Sequence, residues 1–232
     1  MLDYNEFFCG LKDAPGVYGL FSVPEMEKSK LLSYISNLYI LNDFNRPMII
    51  TLEKSASQWR NDMIKWGLQT DGVFIEDDLC YSSPKKIEEL VVEKKPSIIM
   101  IHSISLMRFD GFDIMVQLDR IAKKHSIPIV VEGDLSRSTG DKDPMYRRPE
   151  LFDVIRAFNR ELSLNQFLDE YNAFHSIILM HRNHDCDRRI GGTSRYNVGN
   201  MAELKVYNKA ECFSLYLDFR SLFDFYTLSE EN

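Results

Sequence analysis

The chain has 232 residues, 44% of them hydrophobic and 27% charged, which fits a soluble globular domain and excludes wholesale disorder. Lys and Arg total 28 against 35 Asp and Glu, a net charge of −7, so an overall basic field is excluded and any nucleic-acid contact has to be a local patch. No run approaches the roughly 18 apolar residues of a spanning helix, and MLDYNEFFCGLKD lacks the basic start and apolar core of an export signal; the expectation is no membrane contact and a cytoplasmic address.

In chain order, short apolar runs rich in β-branched residues recur at 17–23 (VYGLFSV), 47–53 (PMIITLE), 72–78 (GVFIEDD), 96–104 (PSIIMIHSI) and 127–134 (IPIVVEGD). They do not alternate with polar residues, so they predict strands covered on both faces, in a mostly parallel sheet. Helical patterns fall between them at 28–41, 57–66, 84–95 and 112–125. Strand and helix alternating in this way form right-handed βαβ units, with helices on both faces of the sheet. Ser83 and Pro84 carry the grammar of a helix start.

After Asp134 comes the polar stretch SRSTGDKDPMYRRPE, expected to be a loop, then a helical run near 152–170. HSIILMH at 175–181 is a further strand. AELKVYN and CFSLYLDF lie only a few residues apart and predict a C-terminal antiparallel hairpin at the sheet edge. The expected division is an extension at 1–14, one α/β domain at 15–228 and a tail at 229–232. Cys9, Cys80, Cys186 and Cys212 are scattered without a CxxC pair, as ordinary thiols of a reducing compartment are.

The junction GLFSVPEMEKSKLLSYISNLYI places Lys28 and Ser29 where a strand gives way to a helix. A phosphate-binding loop needs that arrangement, because backbone N–H groups and the helix N-terminus then face the phosphates. Four stretches in collinear order, VPEMEKSK, TLEKSASQW (51–59), IIMIHSISLM (98–107) and IAKKHSIPIVVEGDLSRS (121–138), together with the Arg-Arg-Pro at 147–149 and the C-terminal hairpin, resemble the motor domain of DnaB-type replicative helicases. The resemblance spans about residues 15–228 and implies a RecA-like fold with degenerate Walker A and Walker B motifs.

Residue by residue, the resemblance puts Ser22 and Glu27 at the small or glycine positions of the phosphate loop, and Lys28 and Ser29 at its Lys-Thr pair. A side chain at the second glycine position costs backbone freedom, and Glu27 adds charge against phosphate. His102 stands at the Walker B carboxylate, where Mg²⁺ requires oxygen ligands. Glu53 matches the water-activating glutamate, and is also an ordinary helix-start residue. Asp134 occupies a γ-phosphate sensor position. The hairpin fingers fall near Asn208 and Ala210, with Lys209 as a displaced substitute. Arg137, Arg147 and Arg148 lie in the segment corresponding to DNA-facing loops, diluted by neighbouring acids.

HRNHDC at 181–186 offers metal-ligand spacing but lacks a defined fourth donor, so no metal site is expected. No GxSxG or comparable signature marks a serine hydrolase. The expectation is an ATPase-deficient DnaB-like domain, linked to DNA replication or another nucleic-acid process, that serves as an interaction or structural module and needs no cofactor. Its partners would be a second copy or a replicative helicase or loader, met head to tail. Two alternatives stay open: a divergent helicase motor using ATP and Mg²⁺, and a nucleic-acid-binding module that contacts single-stranded DNA.

Overall fold

The computed structural model describes residues 4–22, 27–44, 46–107, 114–135, 154, 171–182, 201–209 and 211–218. In chain order the elements are α1 (Tyr4–Gly10), β1 (Gly16–Ser22), α2 (Lys28–Leu41), β2 (Met48–Thr51), α3 (Ala56–Lys65), β3 (Phe74–Glu76), α4 (Pro84–Lys94) and β4 (Ile99–His102). They continue with α5 (Ile114–His125), β5 (Pro128–Asp134), β6 (Phe174–Arg182), β7 (Met201–Asn208) and β8 (Cys212–Asp218).

The strands form one sheet in the order β3-β2-β4-β5-β1-β6-β7-β8. Every pairing from β3 across to β6 is parallel, whereas β6 with β7 and β7 with β8 are antiparallel. All seven residues of β1 are buried, as its central place in the order requires. Side chains one residue apart leave a strand on opposite faces. Tyr18 and Leu20 therefore join one core cluster with Leu31, Ile35, Trp59 and Met63 from α2 and α3. Val17 and Phe21 join the other, with Ile87, Leu90, Leu118 and Ile121 from α4 and α5. Helices thus cover both faces, and the apolar strand runs show no alternation because each face of the sheet is a core.

Phe21 fixes the spacing of the central strands. A Cβ added at Gly133 would come within 2.7 Å of its ring, and one at Gly19 would collide with the same ring. Both glycines are therefore required by close approach rather than by a turn.

Helix boundaries follow local chemistry. α2 spans the predicted range, and α3 begins at Ala56 because Ser55 and Gln58 close a reciprocal capping box. α4 starts with Pro84 in its first turn and ends at Lys95 in the left-handed region. The strand expected at 72–78 is only three residues long, at the sheet edge. Residues 1–14, expected as an extension, include α1, whose Phe8 is fully buried, while Phe7 meets the Phe213 ring edge-on at 6.0 Å. Val154 aside, the helical run expected near 152–170 lies outside the described residues.

Candidate functional site

The carboxyl ends of β1, β2, β4 and β5 converge on a cleft of about 330 Å³ lined by Lys28, Ser29, Glu53, His102, Glu132 and Asp134, among others. A ligand crevice is expected at such a place in a parallel sheet. Chain connectivity brings the residues there. Lys28 and Ser29 open α2 just beyond β1, Glu53 follows β2, His102 ends β4, and Glu132 and Asp134 lie near the end of β5. The register pairs Leu20 with Glu132 and Ser22 with Asp134, so these two acids flank the strand that leads into α2.

The backbone before Lys28 keeps a glycine-like shape without glycine. Glu27 sits at the N-cap of α2 with φ 58 and ψ 33, in the left-handed region, and its side chain caps nothing in the helix. Its carbonyl accepts from the amides of Lys30 and Leu31. The Glu27 side chain itself is exposed.

Lys28 is only 6% exposed, and a buried ammonium requires partners. It donates to Ser22 Oγ at 3.0 Å, pairs with Asp134 and lies 3.3 Å from Glu132 Oε1. Glu132, 2% exposed, gives its other oxygen to His102 Nδ1 at 2.6 Å. His102 Nε2 stands 3.2 Å from Ser29 Oγ, and 3.8 Å from Glu53 Oε2, beyond hydrogen-bond range. The His102 ring also meets Trp59 edge-on at 4.9 Å, and the indole N–H of Trp59 donates to Ser33 Oγ at 2.9 Å. Packing and hydrogen bonds together fix the imidazole.

Burial would raise the Glu132 carboxyl. The hydrogen bond and charge of His102, with the charge of Lys28, outweigh burial and hold it below the ordinary value of 4.5. The carboxylate is thus ionised at neutral pH and can only accept, so His102 Nδ1 is the donor in their bond.

The sequence singled out Lys28, Ser29, Glu53, His102 and Asp134, and all five line this cleft together with Glu27. Glu132 was missed. Its signal was present: a charged residue inside the apolar run IPIVVEGD has to find a partner once the strand is buried. Lys209 lies elsewhere. β7 runs antiparallel to β6, and Asn208 pairs with Ser176 near the start of β6, so Lys209 stands at the opposite end of the sheet. There it lines a second cleft, of about 390 Å³, with Tyr171, His175 and Tyr207.

Arg137, Arg147 and Arg148 lie outside the described residues, as do His184, Asp185 and Cys186 of the HRNHDC segment. Among the described residues no group of three His, Cys, Asp or Glu side chains could hold a metal ion. No described helix is long and apolar enough to cross a membrane.

No protein-family model matches the chain, and no curated protein does. Solved structures do. The ATPase domain of one DnaB-like helicase superimposes with a TM-score of 0.64 at 15% identity, over 90% of this chain and 83% of that one. A second DnaB-like replicative helicase, in a structure reported with its interactions with primase, superimposes with a TM-score of 0.65 at 15% identity. That match takes in 88% of this chain but only 55% of the helicase. With its parallel sheet, two helical layers and antiparallel edge, the chain has the RecA-like fold of DnaB-like helicase ATPase domains.

Proposed function

We propose that this chain is an ATPase-deficient RecA-like domain, serving as an interaction or structural module for a second copy of itself or for a replicative helicase or its loader. The observation that carries this reading is the engagement of Lys28 by Glu132 and Asp134. In a phosphate-binding loop the lysine ammonium serves the phosphates. Here two carboxylates take that role from within the chain, and Glu27 and Glu53 add further negative charge around the cleft.

Magnitudes favour exclusion of a triphosphate. Two like charges about 4 Å apart repel by about 4 kcal/mol at an effective dielectric of 20, and an affinity of about 1 μM amounts to only about 8 kcal/mol. A nucleotide would also have to displace the carboxylates from a lysine already desolvated with them. Mg²⁺ fares no better: Glu132 has one oxygen on Lys28 and the other on His102, and His102 is a poor ligand for that ion.

Titration of the intact chain with ATP and ADP, with and without Mg²⁺, tests the reading, alongside ATP turnover with and without single-stranded DNA. The expected result is no saturable binding up to about 1 mM, a level worth only about 4 kcal/mol. Mg²⁺-dependent turnover abolished by Lys28→Ala would overturn it. The role as a module is tested by light scattering and by co-purification with a helicase or loader; a monomer that retains neither loses that role. A divergent ATP-dependent motor is the second reading, favoured by the convergence of Lys28, Ser29 and Glu53 on one cleft, and the same titration separates the two.

A further inference from the structure

One part of the buried network does more than neutralise Lys28. Ser29 Oγ, His102 Nε2, His102 Nδ1 and Glu132 Oε2 form a continuous hydrogen-bonded series, with steps of 3.2 and 2.6 Å across the two sides of one imidazole. A hydroxyl nucleophile, a base and an orienting carboxylate need this geometry, which is recognised by roles and distances rather than by sequence order. The ionised Glu132 fixes the proton on Nδ1, which leaves Nε2 of a neutral imidazole to accept the Ser29 proton. Glu132 is additionally anchored by Lys28, and the ring by Trp59, so the base is held on three sides.

The surroundings fit the same use. Ser29 is half-buried, and it lines the 330 Å³ cleft while His102 and Glu132 form its deeper wall. That volume is at the small end of ligand sites. Ser29 lies in the first turn of α2, and the first bond of the i to i−4 type comes from Leu31 to Glu27. The amides of Lys28 and Ser29 precede it and have no acceptor within the helix, which makes them donors for a developing oxyanion.

We infer that Ser29, His102 and Glu132 form an acyl-transfer site that hydrolyses small polar esters. Ser29 Oγ attacks the ester carbonyl as its proton passes to His102 Nε2. The C–O bond to the leaving alcohol breaks, and that alcohol takes the proton. Water then attacks the acyl-serine, gives a proton to His102 and releases the acid, with the proton returned to Ser29. The sum is ester plus water giving acid plus alcohol. Ser29 and His102 are the catalytic residues, and Glu132 is a positioning residue. The inference is independent of whether nucleotide binds.

The test uses the full chain with two probes, a fluorophosphonate and p-nitrophenyl acetate, and peptide mass spectrometry to place the label. The expected result is a single modification at Ser29 by each probe, with a burst close to one equivalent for the acetate. Ser29→Ala should remove it, and Ser29→Cys should retain acylation at the same position as a thioester. His102→Ala should slow labelling at least about 100-fold, and His102→Gln should do the same if the alanine variant does not fold. Glu132→Gln should lower kcat while leaving KM unchanged and move the pH profile of kcat, since Glu132 and the more distant Glu53 are the acids facing His102. A natively folded chain left unlabelled at Ser29, or one labelled equally fast without His102, overturns the inference.

Discussion

The two ends of the sheet treat charge in opposite ways. At the carboxyl ends of the strands, Lys28, Glu132 and His102 are each no more than 6% exposed, and every charge meets an opposite one. At the other end, His175 and Lys209 are exposed beside the second cleft. His175 lies against the ring of Tyr18 at 5.1 Å, and burial followed by the charge of Lys209 pushes it below its ordinary value of 6.5. One histidine is thus held by an acid inside the fold, the other disfavoured as a cation at its rim. Burial makes the first network integral to the fold, whereas solvent weakens the second.

The largest expected effect breaks the closed end. Glu132→Ala leaves Lys28 and His102 buried without their shared acid, and a buried pair that loses one partner costs about 3–5 kcal/mol. Asp134 and Ser22 still hold Lys28, so the lower end of that range applies, or a fall in Tm of roughly 6–12 °C for a domain of this size. Thermal or urea denaturation measures it. His175→Ala at the open end should change stability by less than about 0.5 kcal/mol, as surface substitutions generally do; equal effects at both ends would erase the contrast.

Next in size is Gly133→Ala, one residue from Glu132 on β5. A methyl group there meets the Phe21 ring at 2.7 Å, and overpacking of this kind costs about 1–3 kcal/mol. Pairing it with Phe21→Leu should recover part of the loss in denaturant melts, because the clash is with the ring and not with backbone.

Acid separates the two ends without any mutation. Glu132 is held below 4.5 in the fold, so its stabilisation is complete above that pH and disappears as pH falls through the lower folded value. His175 is held below 6.5, so folding is favoured above 6.5 and that contribution is lost as pH falls from 6.5 through the folded value. Stability should therefore decline in two steps, a small one starting near pH 6.5 and a larger one below pH 4.5. His175→Phe should remove the first, and Glu132→Gln the second. A single step unaffected by either variant would contradict these assignments.

These contrasts also explain what the sequence disclosed. The strands were legible because β1, β2, β4 and β5 are buried on both faces and thus uninterruptedly apolar. Lys28, Ser29, His102 and Asp134 were legible as positions at strand ends. α1 was not: YNEFFCG is only seven residues long, and its place depends on contacts with α2 and β8 that are remote in sequence. Glu132 was hidden for a related reason. Its partners lie 104 and 30 residues away, on α2 and β4, and a lone acid in an apolar run looks like a strand end until the strand is seen to continue to Asp134.

The smallest effect sharpens the comparison at the residue where backbone and charge meet. Glu27 holds a left-handed conformation with φ 58, which costs a side-chain-bearing residue about 1 kcal/mol and costs glycine little. Glu27→Gly should therefore gain a few tenths of a kcal/mol, because the greater entropy of glycine in the unfolded chain offsets part of the relief. It also removes one of the anions around Lys28. The variant should still not bind ATP, because Glu132 and Asp134 remain on the ammonium. Glu27→Gly with Glu132→Gln and Asp134→Asn should be the first combination to show nucleotide affinity; if Glu27→Gly alone restores it, the loop glycine and not the buried carboxylates is what closes the phosphate site.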